Sequence, residues 1–288
     1  MKVVLAESSG FCFGVERAVE MAYKYAKDKK GKKLYSFHEI IHNPQETAKL
    51  EKAGAQHVNL ISEIKKGSDV IVSTHGITEE EEQLLKEKCG SLLDTTCPYV
   101  KKIHHIVKKL TIENYQIIIV GDAEHLEVKG IMGYTHGNGV VVSRVEDIGK
   151  LQMKEKIGIV AQTTQNTEVY SAIIAGIEKK AFLNKYAEVR VFNTICDATK
   201  NRQKATMELA GKSDIMVIVG GKNSANTKRL YEISAELLKD VYYVEDSKEI
   251  KKIWFKGKKN VGVSAGASTP ADVINEVVMK IRKIGDDK

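Results

Sequence analysis

Hydrophobic positions along this chain follow two alternating patterns. Val15, Ala18, Val19 and Ala22 recur at the i, i+3, i+4, i+7 spacing of one helix face, and Val100, Ile103, Val107 and Leu110 form a similar stripe. Between such segments stand short, continuously apolar runs: DVIVS (69–73), QIIIVG (116–121), IGIVA (157–161), IMVIVG (215–220) and NVGVS (260–264). A strand apolar at every residue has both faces covered. Runs of that kind alternating with helices predict parallel sheets with helices on either side.

One plan repeats three times through this pattern. Cys12 opens CFGVERAVEMAYKYA, Cys97 opens CPYVKKIHHIVKKL and Cys196 opens CDATKNRQKATMELA. Each stands before an amphipathic helix that leads into a short β-rich run. Polar ends follow the runs: HEIIHN (38–43) and STHG (73–76), then GDAEH (121–125) and AQTTQ (161–165), then GGKNSAN (220–226) and SAGAST (264–269). Cys12 precedes His42 by 30 positions, Cys97 precedes His125 by 28, and Cys196 precedes Ser224 by 28. The expected fold is α/β: three small domains with mainly parallel sheets around a pseudo-threefold axis, with ligands converging at the centre. The expected units are 1–95 with Cys12, 96–193 with Cys97, and 194–288 with Cys196 and a C-terminal helix. In open α/β sheets function gathers beyond the carboxyl ends of strands. Turn formation accounts for Gly, Ser and Asn there. It accounts poorly for His42, His75 and His125.

Composition narrows the function classes. Hydrophobic residues make up 42% of the 288 and charged residues 29%, which excludes disordered and fibrous classes. No apolar run approaches a bilayer span, and the N-terminal VVLA is too short for a signal-peptide core. The expectation is a cytoplasmic protein, with no membrane partner. The net charge of +7 suits an anionic substrate or an acidic protein partner. Nucleic acid is not expected as a partner: the lysines are scattered and aromatics are only 6%.

The four cysteines are too widely spaced for a secreted disulfide framework. Cys89, at a helix end and outside the repeat, reads as a small buried hydrophobe. The other three, each ahead of a helix whose N-terminus favours a thiolate, suggest ligands to one shared iron–sulfur cluster with an iron left open. Zinc in a Cys₃His site is the competing reading, although no close-spaced Cys pair is present. A zinc-dependent hydrolase of a phosphorylated metabolite would use the same residues differently, and a non-enzymatic basic module for nucleic acid, with no bound metal, is the third reading.

The motifs, taken in order, carry a resemblance. GFCFGVERA (10–18), HEIIHNPQ (38–45), STHGI (73–77), DTTCPYVKK (94–102), GDAEHLEVKGIMGY (121–134), QTTQ (162–165), ICDATKNRQ (195–203), NSAN (223–226) and SAGAS (264–268) resemble the 4-hydroxy-3-methylbut-2-enyl diphosphate reductase family. Any one motif is weak; the ordered set is specific and spans nearly the whole chain. The resemblance implies the last step of the methylerythritol phosphate route to isoprenoids: reductive dehydroxylation of an allylic diphosphate to isopentenyl and dimethylallyl diphosphate. It implies a [4Fe–4S] cluster held by Cys12, Cys97 and Cys196, with the substrate hydroxyl at the open iron. It implies His42, His75, His125, Thr163, Ser224, Asn226 and Ser268 as substrate-binding residues. Glu127 takes the acid's place, Thr163 the proton relay's, and His125 orients the substrate. Reduced ferredoxin or flavodoxin is the electron donor implied by analogy. Ser224-Ala225-Asn226 departs from relatives that carry a second serine there.

Overall fold

The computed structural model describes residues 1–29, 31–183 and 188–286. The last two residues of the expected third unit lie outside the described residues. In chain order the elements are β1 (Lys2–Leu5), α1 (Phe13–Asp28), β2 (Leu34–Phe37), α2 (Pro44–Lys52), β3 (Ala55–Val58), β4 (Asp69–Val72), α3 (Glu79–Lys88) and β5 (Ser91–Asp94). Then come α4 (Pro98–Ile112), β6 (Gln116–Val120), α5 (Leu126–Gly133), β7 (Gly139–Val142), β8 (Lys156–Ala161), α6 (Thr167–Phe182) and β9 (Glu188–Val191). The remainder is α7 (Asp197–Ala210), β10 (Ile215–Val219), α8 (Ala225–Leu237), β11 (Val241–Val244), β12 (Asn260–Ala265) and α9 (Ala271–Asp286). Two of the three prolines, Pro44 and Pro98, are first residues of helices and the third, Pro270, immediately precedes one. That is where a missing N–H costs nothing.

The strands form three four-stranded sheets, ordered β3-β2-β4-β5, β7-β6-β8-β9 and β1-β12-β10-β11, and every pairing is parallel. The α/β class with parallel sheets is therefore as expected, and each of the three sheets has four strands. The chain divides into two compact units: 1–16, 41–48 and 197–288 with the third sheet, and 17–40 and 49–196 with the first two.

Continuous apolar strands do what the pattern predicts. In β6, Ile118 and Val120 enter a core with Ile173 and Ile177 of α6, while Ile117 and Ile119 enter one with Ile103, Val107 and Leu110 of α4. In β10, Ile215, Val217 and Val219 face α9, and Met216 and Ile218 face α8. Each such side chain contributes about 1.5–3 kcal/mol.

β1 does not join the first sheet; it pairs with β12, Lys2 opposite Asn260 through Leu5 opposite Val263. Each cysteine in turn follows the edge strand of the sheet preceding its helix: Cys12 follows β1, Cys97 follows β5 and Cys196 follows β9. Parallel pairing is non-local, and a four-residue strand carries no record of its partner.

Close approach fixes one loop. A Cβ on Gly266, just beyond β12, would lie 1.9 Å from Oγ1 and 3.0 Å from Cβ of Thr227, which is itself fully buried in the first turn of α8. Gly266→Ala is expected to destabilise the protein by about 1–3 kcal/mol through overpacking. Urea denaturation followed by circular dichroism measures it, and an unchanged midpoint would show that α8 yields freely.

Candidate functional site

The strand orders place a topological switch between β2 and β4, between β6 and β8, and between β10 and β12. Loops leaving two such neighbours diverge and open a crevice at their carboxyl ends. Those six loops, with the first turns of the helices that follow them, contain every residue singled out in the sequence except the cysteines.

The loops are built alike. His42, His125 and Ser224 each stand five residues beyond the ends of β2, β6 and β10. His125 caps α5, its Nδ1 accepting from the Glu127 N–H at 3.1 Å; Ser224 caps α8, its Oγ accepting from the Thr227 N–H at 3.3 Å. Glu127 and Asn226 are consequently second residues of their helices. Beyond β4, β8 and β12 a turn closes from Gly76 N–H to Ser73 O, from Gln165 N–H to Gln162 O, and from Thr269 N–H to Gly266 O. Within each turn the second carbonyl takes a cysteine's backbone N–H: Cys97 to Thr74 O at 3.0 Å, Cys196 to Thr163 O at 3.1 Å, and Cys12 to Ala267 O at 3.3 Å. Each cysteine is thereby pinned beside a central strand's carboxyl end.

In the unit of the first two sheets, Glu127 and Thr163 are brought together. The Thr163 N–H donates to Glu127 Oε1 at 2.6 Å and the Thr163 hydroxyl to Oε2 at 2.8 Å. Glu127 is only 2% exposed. Burial pushes its pKa up to about 7 against the two bonds from Thr163, which favour the charged form. His75 and His125 meet edge to face with centroids 5.5 Å apart. Gln162 Oε1 accepts the Asp122 N–H at 3.1 Å and ties the two loops of this sheet. Glu124 is exposed and paired with Lys129 at 2.9 Å.

In the other unit, Ser268 Oγ lies 3.4 Å from Ser224 Oγ and donates to the His42 carbonyl at 3.3 Å. Asn226 is 5% exposed, and its Nδ2 has no protein partner among the described residues. A buried amide donor left over at a helix N-terminus, beside two hydroxyls, fits an anionic oxygen ligand. Ser73 Oγ and Gln162 Nε2, in loops of the unit that holds the first two sheets, are likewise buried without a protein partner among the described residues.

The cysteines fit a thiolate-bound group. No disulfide forms among the described residues, and Cys12, Cys97 and Cys196 are each half-buried at a helix start. Helix N-termini and soft sulfur donors suit a cluster better than a hard cation. Cys89 ends α3, where burial pushes its thiol's pKa up, and it belongs to no such loop. Two residues the sequence reading passed over also stand here: Gln162, and His104 beneath Gly76.

A buried acid held near neutrality and bonded to a hydroxyl, at strand ends of a parallel sheet, defines an α/β enzyme equipped for proton transfer. The chain matches the family model described as LytB protein over residues 3–282 and belongs to that family. A relative from Aquifex aeolicus, named 4-hydroxy-3-methylbut-2-enyl diphosphate reductase, is 46% identical over 285 residues, covering 98% of this chain and 96% of its own. One of the same name from Citrifermentans bemidjiense is 45% identical over 288 residues, covering 100% and 99%. A solved structure of (E)-4-hydroxy-3-methyl-but-2-enyl diphosphate reductase, described as the terminal enzyme of the non-mevalonate pathway, is 44% identical with a TM-score of 0.68, covering 98% and 99%. The E-1-hydroxy-2-methyl-but-2-enyl-4-diphosphate reductase from Plasmodium falciparum is 31% identical with a TM-score of 0.88, covering 96% and 86%. Among the described residues no helix is long and apolar enough to cross a membrane.

Glu127 binds a proton more tightly in the folded than in the unfolded chain. Between its ordinary value of 4.5 and about 7 the native state holds more protons, so stability falls as pH rises through that window and then levels off. Glu127→Gln should remove this loss, gaining up to roughly 3 kcal/mol over the parent at pH 8 and nothing at pH 4. Thermal denaturation at both pH values measures it; parallel pH dependence in the two proteins would show an ordinary carboxyl.

Proposed function

We propose that this chain reduces 4-hydroxy-3-methylbut-2-enyl diphosphate to isopentenyl and dimethylallyl diphosphate, taking up two electrons and two protons and releasing water. It is an oxidoreductase of isoprenoid biosynthesis. The Glu127–Thr163 pair carries the reading. Hydroxide is a poor leaving group, and an acid that keeps its proton near pH 7 lets the oxygen depart as water.

Cys12, Cys97 and Cys196 are the proposed ligands of a [4Fe–4S] cluster. When bound, that cluster supplies the electrons and an iron with a coordination position open to substrate. The rest of the task falls to side chains. Ser224, Asn226 and Ser268 offer neutral donors to the diphosphate, assisted by N–H groups at the start of α8. His42, His75 and His125 orient the substrate. Glu127 holds a proton at Oε2 and passes it to Thr163 Oγ1, whose own hydrogen goes to the departing oxygen as the C–O bond breaks. The two electrons remain on the allylic carbons, and the second proton, added at one carbon or the other, gives the two products. Reduced ferredoxin or flavodoxin is the proposed donor, one whose acidic surface suits a chain of net charge +7. The cytoplasm, where thiols stay reduced, is the proposed compartment.

Anaerobically purified protein should contain iron and acid-labile sulfide and form both products with a chemical reductant, detected by mass spectrometry. Zinc alone and no turnover would overturn the reading. Because the acid must be protonated, kcat should decline as pH rises through about 7. Glu127→Gln should lower kcat by at least about 100-fold with little change in substrate affinity; undiminished turnover would remove Glu127 as the acid.

A further inference from the structure

His104 lies on α4, seven residues beyond Cys97, and is 7% exposed. Its ring stacks on Tyr134 with centroids 4.4 Å apart and planes at 25°. Two glycines complete its surroundings. A Cβ on Gly76 would lie 2.7 Å from His104 Cε1 and 3.4 Å from Nε2, and one on Gly130 would lie 3.6 Å from Nε2. Gly76 follows His75 directly and has a φ of +75°, a conformation that side chains rarely adopt. Gly130 is three residues beyond Glu127 in α5, where an added Cβ would also meet the Gly76 and Ile77 carbonyl carbons at 3.6 Å. The imidazole is therefore wedged against the backbone of both segments that present the site: the turn with His75, and the helix with His125 and Glu127.

Apolar packing alone would not call for histidine here. Nε2 has no protein partner among the described residues. The ring borders a cleft of about 620 Å³ between α3, α4 and the first sheet. Burial pushes its pKa down to about 4. The charged groups facing it act in opposing senses: Asp94 at the end of β5 and Glu82 on α3 favour the imidazolium, and Lys101 and His105 on α4 oppose it. Burial dominates, and the ring is neutral through the working range of Glu127.

We propose that His104 is a positioning residue whose planar ring sets the spacing between the His75 turn and the start of α5, and so the geometry of His75, His125 and Glu127. The inference rests on the reductase reading for its assay and deepens it. The test compares His104→Leu, which keeps bulk but loses the flat ring, with His104→Phe, which keeps the ring. Both are purified anaerobically with iron content measured. KM and kcat are taken with a chemical reductant, and affinity for isopentenyl diphosphate by calorimetry.

At unchanged iron content, His104→Leu should raise KM and weaken isopentenyl diphosphate binding about tenfold, with His104→Phe within about threefold of the parent. The alkaline decline of kcat should keep its midpoint in His104→Phe. Parental KM and affinity in His104→Leu, equal damage from both variants, or a shifted midpoint would each overturn the proposal. If His104→Leu fails to fold, His104→Phe decides, with a tenfold rise in its KM counting against the ring. Calorimetry does not require turnover. A parent that bound isopentenyl diphosphate but reduced nothing would remove the reductase reading while leaving His104 testable.

Discussion

Parallel pairing is the constraint on which the rest depends. It delivers every carboxyl end of a sheet to one edge, and an order such as β3-β2-β4-β5 sends the loops after the two inner strands in opposite directions. Polar backbone at that edge has no further strand to bond with. The turns closing at Gly76, Gln165 and Thr269 satisfy part of it, and the N–H groups of Cys97, Cys196 and Cys12 take one carbonyl in each turn. A single backbone requirement thus fixes both the loop and the cysteine beside it.

Opposing effects are set against each other at Glu127. Two hydrogen bonds from Thr163 would ordinarily hold a carboxyl low, and in this case burial outweighs them. The result near 7 needs both contributions: burial without Thr163 would leave the acid too reluctant to give up its proton, and Thr163 in open water would leave it ionised. Asn226 holds the corresponding second position of α8, where an amide cannot titrate. One scaffold position therefore serves proton transfer in one sheet and neutral donation in another, according to the side chain it carries.

Local features of this fold were legible in the sequence, and non-local ones were not. The runs 116–121 and 215–220 announced strands buried on both faces, and Ile117 to Val120 and Met216 to Val219 lie in two-sided cores. The spacing from cysteine to His125 and to Ser224 reflected a common loop position five residues beyond a strand. The partner of β1 was illegible, because VVL pairs equally well with any parallel neighbour until tertiary packing decides. His104 escaped because it sits on a helix stripe with Val100, Ile103 and Val107, where a histidine reads as a core side chain. Its significance comes from Gly76 and Gly130, which are distant in sequence and meet it only once the two sheets of that unit are formed.

The same reasoning explains why these glycines are more than turn residues. A site whose reacting groups sit on separate loops must fix distances between backbones, and hydrogen bonds within each loop cannot do so. Something incompressible has to stand between them. Interiors packed at crystal-like density transmit a displacement of a few tenths of an ångström instead of absorbing it. A flat ring pressed on two Cα positions is therefore a stiffer spacer than a flexible aliphatic chain. Removing both Cβ atoms lets the ring reach the backbone itself, so that the position of His75 answers to α4, the helix that Cys97 begins.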